Sequence, residues 1–387
     1  MLPWSGWLRT RAGFSRARAH STPLRAGPRP TFARSRMKPI PLRYNQIAVM
    51  NTVLNRDSSI DLNPVPDYGD VRAEFHALLS CCGVYDLNWR SKIALTGSDR
   101  VRWLNGMATN NIRDLAPGHG VYNFLLNAQG RIQADFYAFN RGESLLVDLE
   151  RSQRDKVLQL FDHYIIADDV EVADISDKLT ALGLTGPSSR QVLESAGVAV
   201  PDLAYLRFAD LTWQEQSITV LRSGEEAKES WQVWIVPEQV SAFWDALVKA
   251  GATPSGAFAL NLFRIARGIP QFGVDIRDKD LPQETGQTRA LNFTKGCYLG
   301  QEIVERIRSR GAVHRQFTAF VVEGALPAPG TKILVDEKEV GEITSSADLP
   351  LPTGNRAVAL GYLRREAMDK NLLAGAATLK PATLPIP

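Results

Sequence analysis

After Arg315 the sequence carries no helical period. Residues 317–322, 332–335, 339–344 and 357–363 are short runs of strand-forming residues, punctuated by Pro-Gly, Asp-Glu-Lys and Thr-Gly turn signals. Short strands with turn residues between them cannot bury a face as helices would, and they read as a small all-β unit, a barrel, over residues 313–387.

Upstream the pattern is mixed. Residues 71–79 place Val71, Phe75, Leu78 and Leu79 on one helical face, and Gly83 follows as a terminator. Residues 91–96 alternate as a strand, and a helix follows from Asp99-Arg100 to Leu104. Residues 120–125 and 131–139 flank the turn signal Asn127-Ala128-Gln129-Gly130 and predict a hairpin. Further strands are expected at 144–147, 179–184, 218–221 and 232–236, with helices at 153–163, 188–196, 238–250 and 254–267, the last stopped by Gly268. Strands mixed with hairpins and helices indicate an α+β fold rather than a parallel βαβ series. At 387 residues the chain exceeds one ordinary core. Residues 57–312 are expected to form an α+β region of two interleaved lobes.

Residues 1–56 differ in composition. They hold eleven Lys and Arg and no acid, which leaves 34 basic against 42 acidic residues in the remainder. The formal charge of +3 therefore conceals an acidic body. A nucleic-acid-binding domain carries a basic patch, and this body does not, so the partners expected are a small molecule and proteins rather than nucleic acid. No apolar run approaches the roughly 20 residues that span a bilayer, so no membrane partner is expected. The Arg-rich start resembles a mitochondrial transit peptide, yet Pro residues at 3, 23, 28, 30, 39 and 41 interrupt the helix such a peptide needs. Met37 and Met50 offer alternative starts. The expectation is a disordered or mis-assigned extension and a cytoplasmic protein, with the mitochondrial matrix as the alternative if residues 1–36 are a transit peptide.

Three cysteines, Cys81, Cys82 and Cys297, form no disulfide framework and no Cys-x-x-Cys pair. They imply a reducing compartment and too few ligands for a cluster held by this chain alone. Cys81-Cys82 ends an amphipathic helix and reads as packing. Cys297 lies in the run Lys295-Gly296-Cys297-Tyr298-Leu299-Gly300-Gln301-Glu302, just before an amphipathic helix with Ile303, Val304 and Ile307 apolar. A helix N-terminus and a neighbouring ammonium both favour the thiolate. The reactive and the buried structural readings of Cys297 both stand at this point. His76, His119, His163 and His314 show no metal spacing, and no dinucleotide, P-loop or serine-hydrolase motif occurs. Asp135 sits inside a strand pattern, so it must find a partner, face a cavity or lie on the solvent face.

The 295–302 run resembles the signature of the YgfZ/GcvT-like folate-binding family. Gly83-Val84-Tyr85-Asp86, Lys92 to Gly97, Tyr122 to Gly130 followed by Asp135, and Arg264-x-x-x-Gly268-Ile269-Pro270-x-x-Gly273-x-Asp275 resemble the glycine-cleavage T-protein. The resemblance covers about residues 68–363. It implies a T-protein-like three-lobed fold closed by the C-terminal barrel, and tetrahydrofolate or a related reduced folate as ligand. It places the T-protein's essential aspartate at Asp135 and makes Asn127, Gln232, Arg264 and Tyr298 candidate folate contacts, with Gly296, Gly300, Gln301 and Glu302 completing the motif around Lys295 and Cys297. Where T-proteins carry a pterin-holding Glu, this chain has Gln232, and the acid that follows their matching arginine is Ala266 here.

The resemblance thus implies a tetrahydrofolate-binding accessory protein in iron–sulfur cluster assembly or repair, working through the Cys297 thiol with assembly or client proteins; a monomer is expected. A folate-dependent aminomethyltransferase-like one-carbon transferase is the alternative. No metal site is expected.

Overall fold

A computed structural model describes residues 64–224, 229–311 and 313–383. The extension over residues 1–56, with its expected disorder and its transit-peptide alternative, lies outside the described residues.

The first part of the chain runs α1 (Val71–Ser80), β1 (Gly83–Asp86), β2 (Arg90–Thr96), α2 (Arg100–Met107), β3 (His119–Leu126), β4 (Ile132–Asn140), β5 (Leu145–Glu150) and α3 (Arg151–Tyr164). There follow β6 (Glu171–Asp174), β7 (Thr180–Thr185), α4 (Ser189–Ser195), β8 (Phe208–Trp213), β9 (Gln216–Arg222), β10 (Ser230–Ile235), α5 (Val240–Lys249), β11 (Thr253–Pro254), α6 (Ala257–Arg267) and α7 (Gln301–Arg310). The chain closes with β12 (Arg315–Glu323), β13 (Lys332–Val335), β14 (Lys338–Leu351), β15 (Gly354–Arg364), β16 (Leu372–Ala374) and β17 (Ala377–Ala382).

The strands form three sheets. One has the order β11-β1-β7-β10-β9-β8, a second the order β3-β4-β5-β2-β6, and the third closes as the barrel β12-β15-β14-β13-β16-β17. The chain starts in the first sheet, leaves after β1 for the second, and returns at β7. The fold is α+β with a closed six-stranded C-terminal barrel.

Each sheet buries one face against its own helices. Val84, Leu182, Val233 and Trp231 pack with Phe243 and Leu247 of α5. Ile93, Leu95, Phe136 and Val147 pack with Trp103 of α2 and Phe161 of α3. Phe139, Leu146, Phe208 and Trp234 join the two sheets in a shared cluster. Phe75 and Leu78 of α1 and Ala259 and Ile265 of α6 meet Leu349, Val358 and Leu360 of the barrel. At roughly 25 cal/mol per Å² of apolar surface, such contacts are the main term holding the units together.

The hairpin around residues 127–130, the helix ended by Gly268 (φ 64°) and the barrel follow the sequence pattern. Several strands do not. β1, β6, β8, β11, β16 and β17 are absent from the sequence reading, with β11 at the start of the expected 254–267 helix, and β14 runs on to Leu351. The β8–β9 turn explains one case. It places Gln214 (φ 46°) and Glu215 (φ 65°) in the left-handed region with neither Gly nor Asn to announce it.

Candidate functional site

A cavity of about 720 Å³ is bounded by the two open sheets, α6 and the segment after α6. That volume lies within the roughly 300–1,000 Å³ usual for small-molecule sites. Its apolar wall includes Leu87, Trp89, Tyr137, Phe263 and Phe272. Its polar groups come from Tyr85, Thr185, Ser230 and Gln232 of the first sheet and from Asp135 and Glu150 of the second.

Asp135 is held on both oxygens. Tyr122 Oη donates to Oδ2 at 2.6 Å, and Gln153 Nε2 donates to Oδ1 at 2.8 Å. Gln153, itself buried, also accepts the Asp135 backbone N–H at 2.9 Å. The strand-interior acid thus faces a cavity and is partnered. Burial, and then the Asp135 charge, push the Tyr122 phenol well above its ordinary value, so it remains a donor at neutral pH.

Beside Asp135 lies a ladder of charge across β2 and β5. Lys92 is directly opposite Asp148, and Arg90 directly opposite Glu150. Asp148 takes both cations: Arg90 Nε at 2.7 Å and Lys92 Nζ at 3.0 Å. Burial alone would raise the Asp148 carboxyl, but Arg90 and Lys92 together hold it below the usual carboxylate range. Burial drives the Lys92 amine down against the pull of Asp148.

On the first sheet, Gly183 lies opposite Tyr85. A Cβ at Gly183 would fall 2.1 Å from the Tyr85 ring, so the missing side chain is what lets the ring lie across β7. Tyr85 Oη then meets Thr185 Oγ1 at 2.9 Å at the cavity surface. Gln232 lines the cavity, and its Oε1 accepts Trp234 Nε1 at 3.3 Å, leaving one lone pair and the amide N–H groups for a ligand.

Arg264 also lines the cavity, but its guanidinium is committed elsewhere. Nη1 donates to the fully buried Asp275 at 2.7 Å, Nη2 to Ser345 Oγ at 3.0 Å, and Nε to Asn261 at 2.9 Å. Asp275 further accepts Thr344 Oγ1 at 2.5 Å and Ser345 Oγ at 2.8 Å. These two hydroxyls sit where the register of β14 shifts, and the irregularity turns both toward the α+β body. Arg264 and Asp275 therefore latch the barrel to α6.

The 295–302 run is elsewhere. Neither Cys297, Lys295, Tyr298 nor Asn127 lines the cavity. Cys297 is exposed, which removes the buried structural reading; Cys82 is buried and Cys81 exposed. The Lys295 side chain is buried and turned away from the solvent-exposed thiol. Its Nζ donates to the carbonyl of Asn105 and, at 2.5 Å, to that of Ala108, at the end of α2. Burial, and then Arg113, push the amine down to about 7. Lys295 is thus a helix C-terminal cap that is only partly charged at neutral pH, not the fixed ammonium expected beside Cys297. Tyr298 is buried with Tyr122, Phe124 and Val304, so it packs behind Tyr122 and does not present itself to a ligand in the cavity.

Asn127 builds the turn on which the motif rests. Its Oδ1 accepts the backbone N–H of Gln129 at 3.0 Å and of Arg131 at 2.9 Å. Gly300 (φ 81°) packs on that turn as the N-cap of α7, and a Cβ there would lie 2.4 Å from the Asn127 carbonyl oxygen. Gln301 Oε1 accepts the Tyr298 N–H at 3.0 Å and fixes the loop from the helix side. Gly296 (φ 93°) has open space around it, and Glu302 lies in the first turn of α7. Gly300→Ala combines a left-handed backbone with a backbone clash and is expected to cost about 2–4 kcal/mol, measurable by urea unfolding.

The sequence reading singled out neither Tyr122 nor Gln153, nor the Arg90, Lys92, Asp148 and Glu150 ladder. A signal existed: Arg90 and Lys92 on one strand, and Asp148 and Glu150 on another, are charged residues two apart in strand patterns, whereas Asp135 drew attention as a single acid inside a strand. Among the described residues no group of His, Cys, Asp and Glu could hold a metal ion, and no helix is long and apolar enough to cross a membrane.

An α+β body opening on one acid-centred cavity, closed by an antiparallel barrel, defines a recognisable class. The chain matches the GCVT N-terminal domain over residues 45–295 and the CAF17 C-terminal β-barrel domain over residues 310–385. It belongs to the GCVT family, with a barrel of the CAF17 kind. An aminomethyltransferase of Rubrobacter xylanophilus is 28% identical over 304 residues, covering 77% of this chain and 80% of that protein. One of Streptomyces coelicolor is 28% identical over 308 residues, covering 76% and 82%. The glycine cleavage system aminomethyltransferase T from Bartonella henselae superposes with a TM-score of 0.73 at 19% identity, over 82% of this chain and 89% of that one, a likeness of fold.

Proposed function

We propose that the protein binds a reduced folate in the 720 Å³ cavity and serves as a YgfZ-type accessory factor in iron–sulfur cluster assembly or repair. The observation that carries this reading is the division of the chemistry between two places. The cavity holds the aromatic and polar groups suited to a pteridine, and the one thiol of the 295–302 run stands outside it, exposed, where a partner protein can reach it.

The cavity suits the ligand on its own terms. Trp89, Tyr137 and Phe272 offer flat apolar contact, Gln232 offers amide groups, and Asp135 stands fixed by two donors. Arg151 and Arg267 also line it, and neither has a carboxylate partner among the described residues, so both can meet the carboxylates of a folate tail. Bound folate would supply one-carbon chemistry at its nitrogens; the chain's own groups bind it, orient it and shield it from water. The thiol of Cys297 then acts on a partner or client and not on the folate, and Tyr122 and Tyr298, packed together behind β3, are the physical link between the two places.

Aminomethyl transfer is the second reading. The relatives named aminomethyltransferase and the fixed Asp135 favour it. Gln232 and the exposed Cys297 have no task under it.

Titration calorimetry of the full chain with tetrahydrofolate tests the common part. A saturable heat is expected, and Asp135→Asn, a near-isosteric change, is expected to weaken it about tenfold without loss of folding, because it exchanges an acceptor for a donor facing Tyr122 and Gln153. No heat up to millimolar ligand sinks the folate reading. Methylene transfer by the wild-type protein, undiminished in Cys297→Ala, would favour the transferase.

A further inference from the structure

Glu150 is the last residue of β5 and stands at the N-cap position of α3, yet its side chain does not cap that helix. It lines the cavity instead. Its neighbours are unequal. Arg90 lies directly opposite on β2 but gives its Nε to Asp148, and no ion pair joins Arg90 to Glu150. The β4–β5 register pairs Tyr137 with Asp148, and continuing it by two residues brings Asp135 beside Glu150. Asp135 already spends both oxygens on Tyr122 and Gln153 and offers Glu150 only a like charge. From the opposite wall come Arg264, which is bound to Asp275, and Gln271. Arg151 follows on α3. Two carboxyls thus share one cavity wall, and the cation opposite Glu150 in the strand register is taken by a third.

We propose that Glu150 is the proton-exchanging group of this cavity, taking up a fraction of a proton from solvent near neutrality when an anionic ligand such as a reduced folate binds. The inference rests on the folate reading for the identity of that ligand. Burial, with the Asp135 charge adding to it and Arg90 opposing it, pushes the Glu150 carboxyl up to about 7, so the group is half-protonated in the empty cavity near neutrality. A ligand that carries carboxylates and excludes water disfavours the Glu150 anion further and raises its pKa in the complex. The complex then holds more protons than the free protein above pH 7. Affinity is therefore constant at low pH and falls as the pH rises through about 7.

Two measurements decide this. In the ligand-free protein, the carboxyl-carbon resonance of Glu150, assigned by its loss in Glu150→Gln, is expected to titrate near pH 7. With tetrahydrofolate, calorimetry in two buffers of different ionisation heat is expected to show uptake of a fraction of a proton at pH 7, and affinity is expected to fall about three- to eightfold between pH 6 and pH 8. Glu150→Gln, shaped like the protonated acid, is expected to bind as the wild type does at pH 6 with neither slope nor uptake. Asp135→Asn removes the like charge and is expected to move the fall to lower pH, whatever it does to the affinity itself. A Glu150 resonance that titrates near 4 overturns the proposal, as does uptake that persists in Glu150→Gln. If no folate binds at any pH while the resonance titrates near 7, the folate reading fails and the proton site stands.

Discussion

Asp148→Ala is expected to destabilise the protein by about 3–5 kcal/mol, because the change leaves two cations without their counter-charge inside the second sheet. Lys92 has a side chain with no exposure and Arg90 one that is 13% exposed, and both reach Asp148. Neither can recover water without opening the sheet. Lys92→Met is expected to cost less, since Asp148 keeps Arg90. Adding Asp148→Leu to Lys92→Met is expected to recover part of the loss from Asp148→Ala, because an apolar pair carries no desolvation cost. The wild-type ladder is also acid-sensitive. Asp148 titrates below its ordinary value of about 4, so its contribution is full above that pH and is lost as the pH falls through the depressed value. Urea unfolding at pH 7 and at pH 3 reads both effects. A loss under about 1 kcal/mol for Asp148→Ala would show that the ladder is not a stabilising unit.

Cys297→Ser is expected to separate function from stability. The thiol is exposed, so unfolding should shift by less than about 0.5 kcal/mol. In a strain lacking the protein, cluster-dependent enzymes rescued by the serine variant are expected to fall at least about tenfold below wild-type rescue, since serine keeps the shape and gives no thiolate near neutrality. Alkylation adds an independent measure. Cys297 is expected to react much faster than the buried Cys82, whose thiol burial raises to about 11, while the exposed Cys81 is the fair comparison. Because Cys297 does not line the cavity, saturating tetrahydrofolate is expected to leave its alkylation rate unchanged. Full rescue by Cys297→Ser would remove the thiol from the mechanism. Protection by folate would place thiol and ligand together, against the geometry. Lys295→Met serves as a contrast: it leaves two helix-end carbonyls without their donor and is expected to cost about 1–3 kcal/mol whatever happens to activity.

What the sequence determined by itself was whatever is written in neighbouring residues. Strand alternation and turn residues placed the barrel, the 127–130 hairpin and the α6 stop at Gly268. Asp135 stood out as a lone acid inside a strand pattern, and charges two residues apart also mark Arg90 and Lys92 on one strand and Asp148 and Glu150 on another. β8 escaped because it ends in a left-handed turn built from Gln214 and Glu215, with neither Gly nor Asn to announce it. Tertiary structure decided which polar groups meet. Lys295 stands two residues from Cys297, yet its amine reaches back about 190 residues to the carbonyls of Asn105 and Ala108, because buried N–H donors need acceptors and the end of α2 offers them. Arg264 has the place of a ligand residue, and the irregularity in β14 turns it into a latch by aiming Thr344 and Ser345 at Asp275. Pairing across strands and sheets has no period along the chain, and so the separation of the exposed thiol from the cavity is a property of the fold alone.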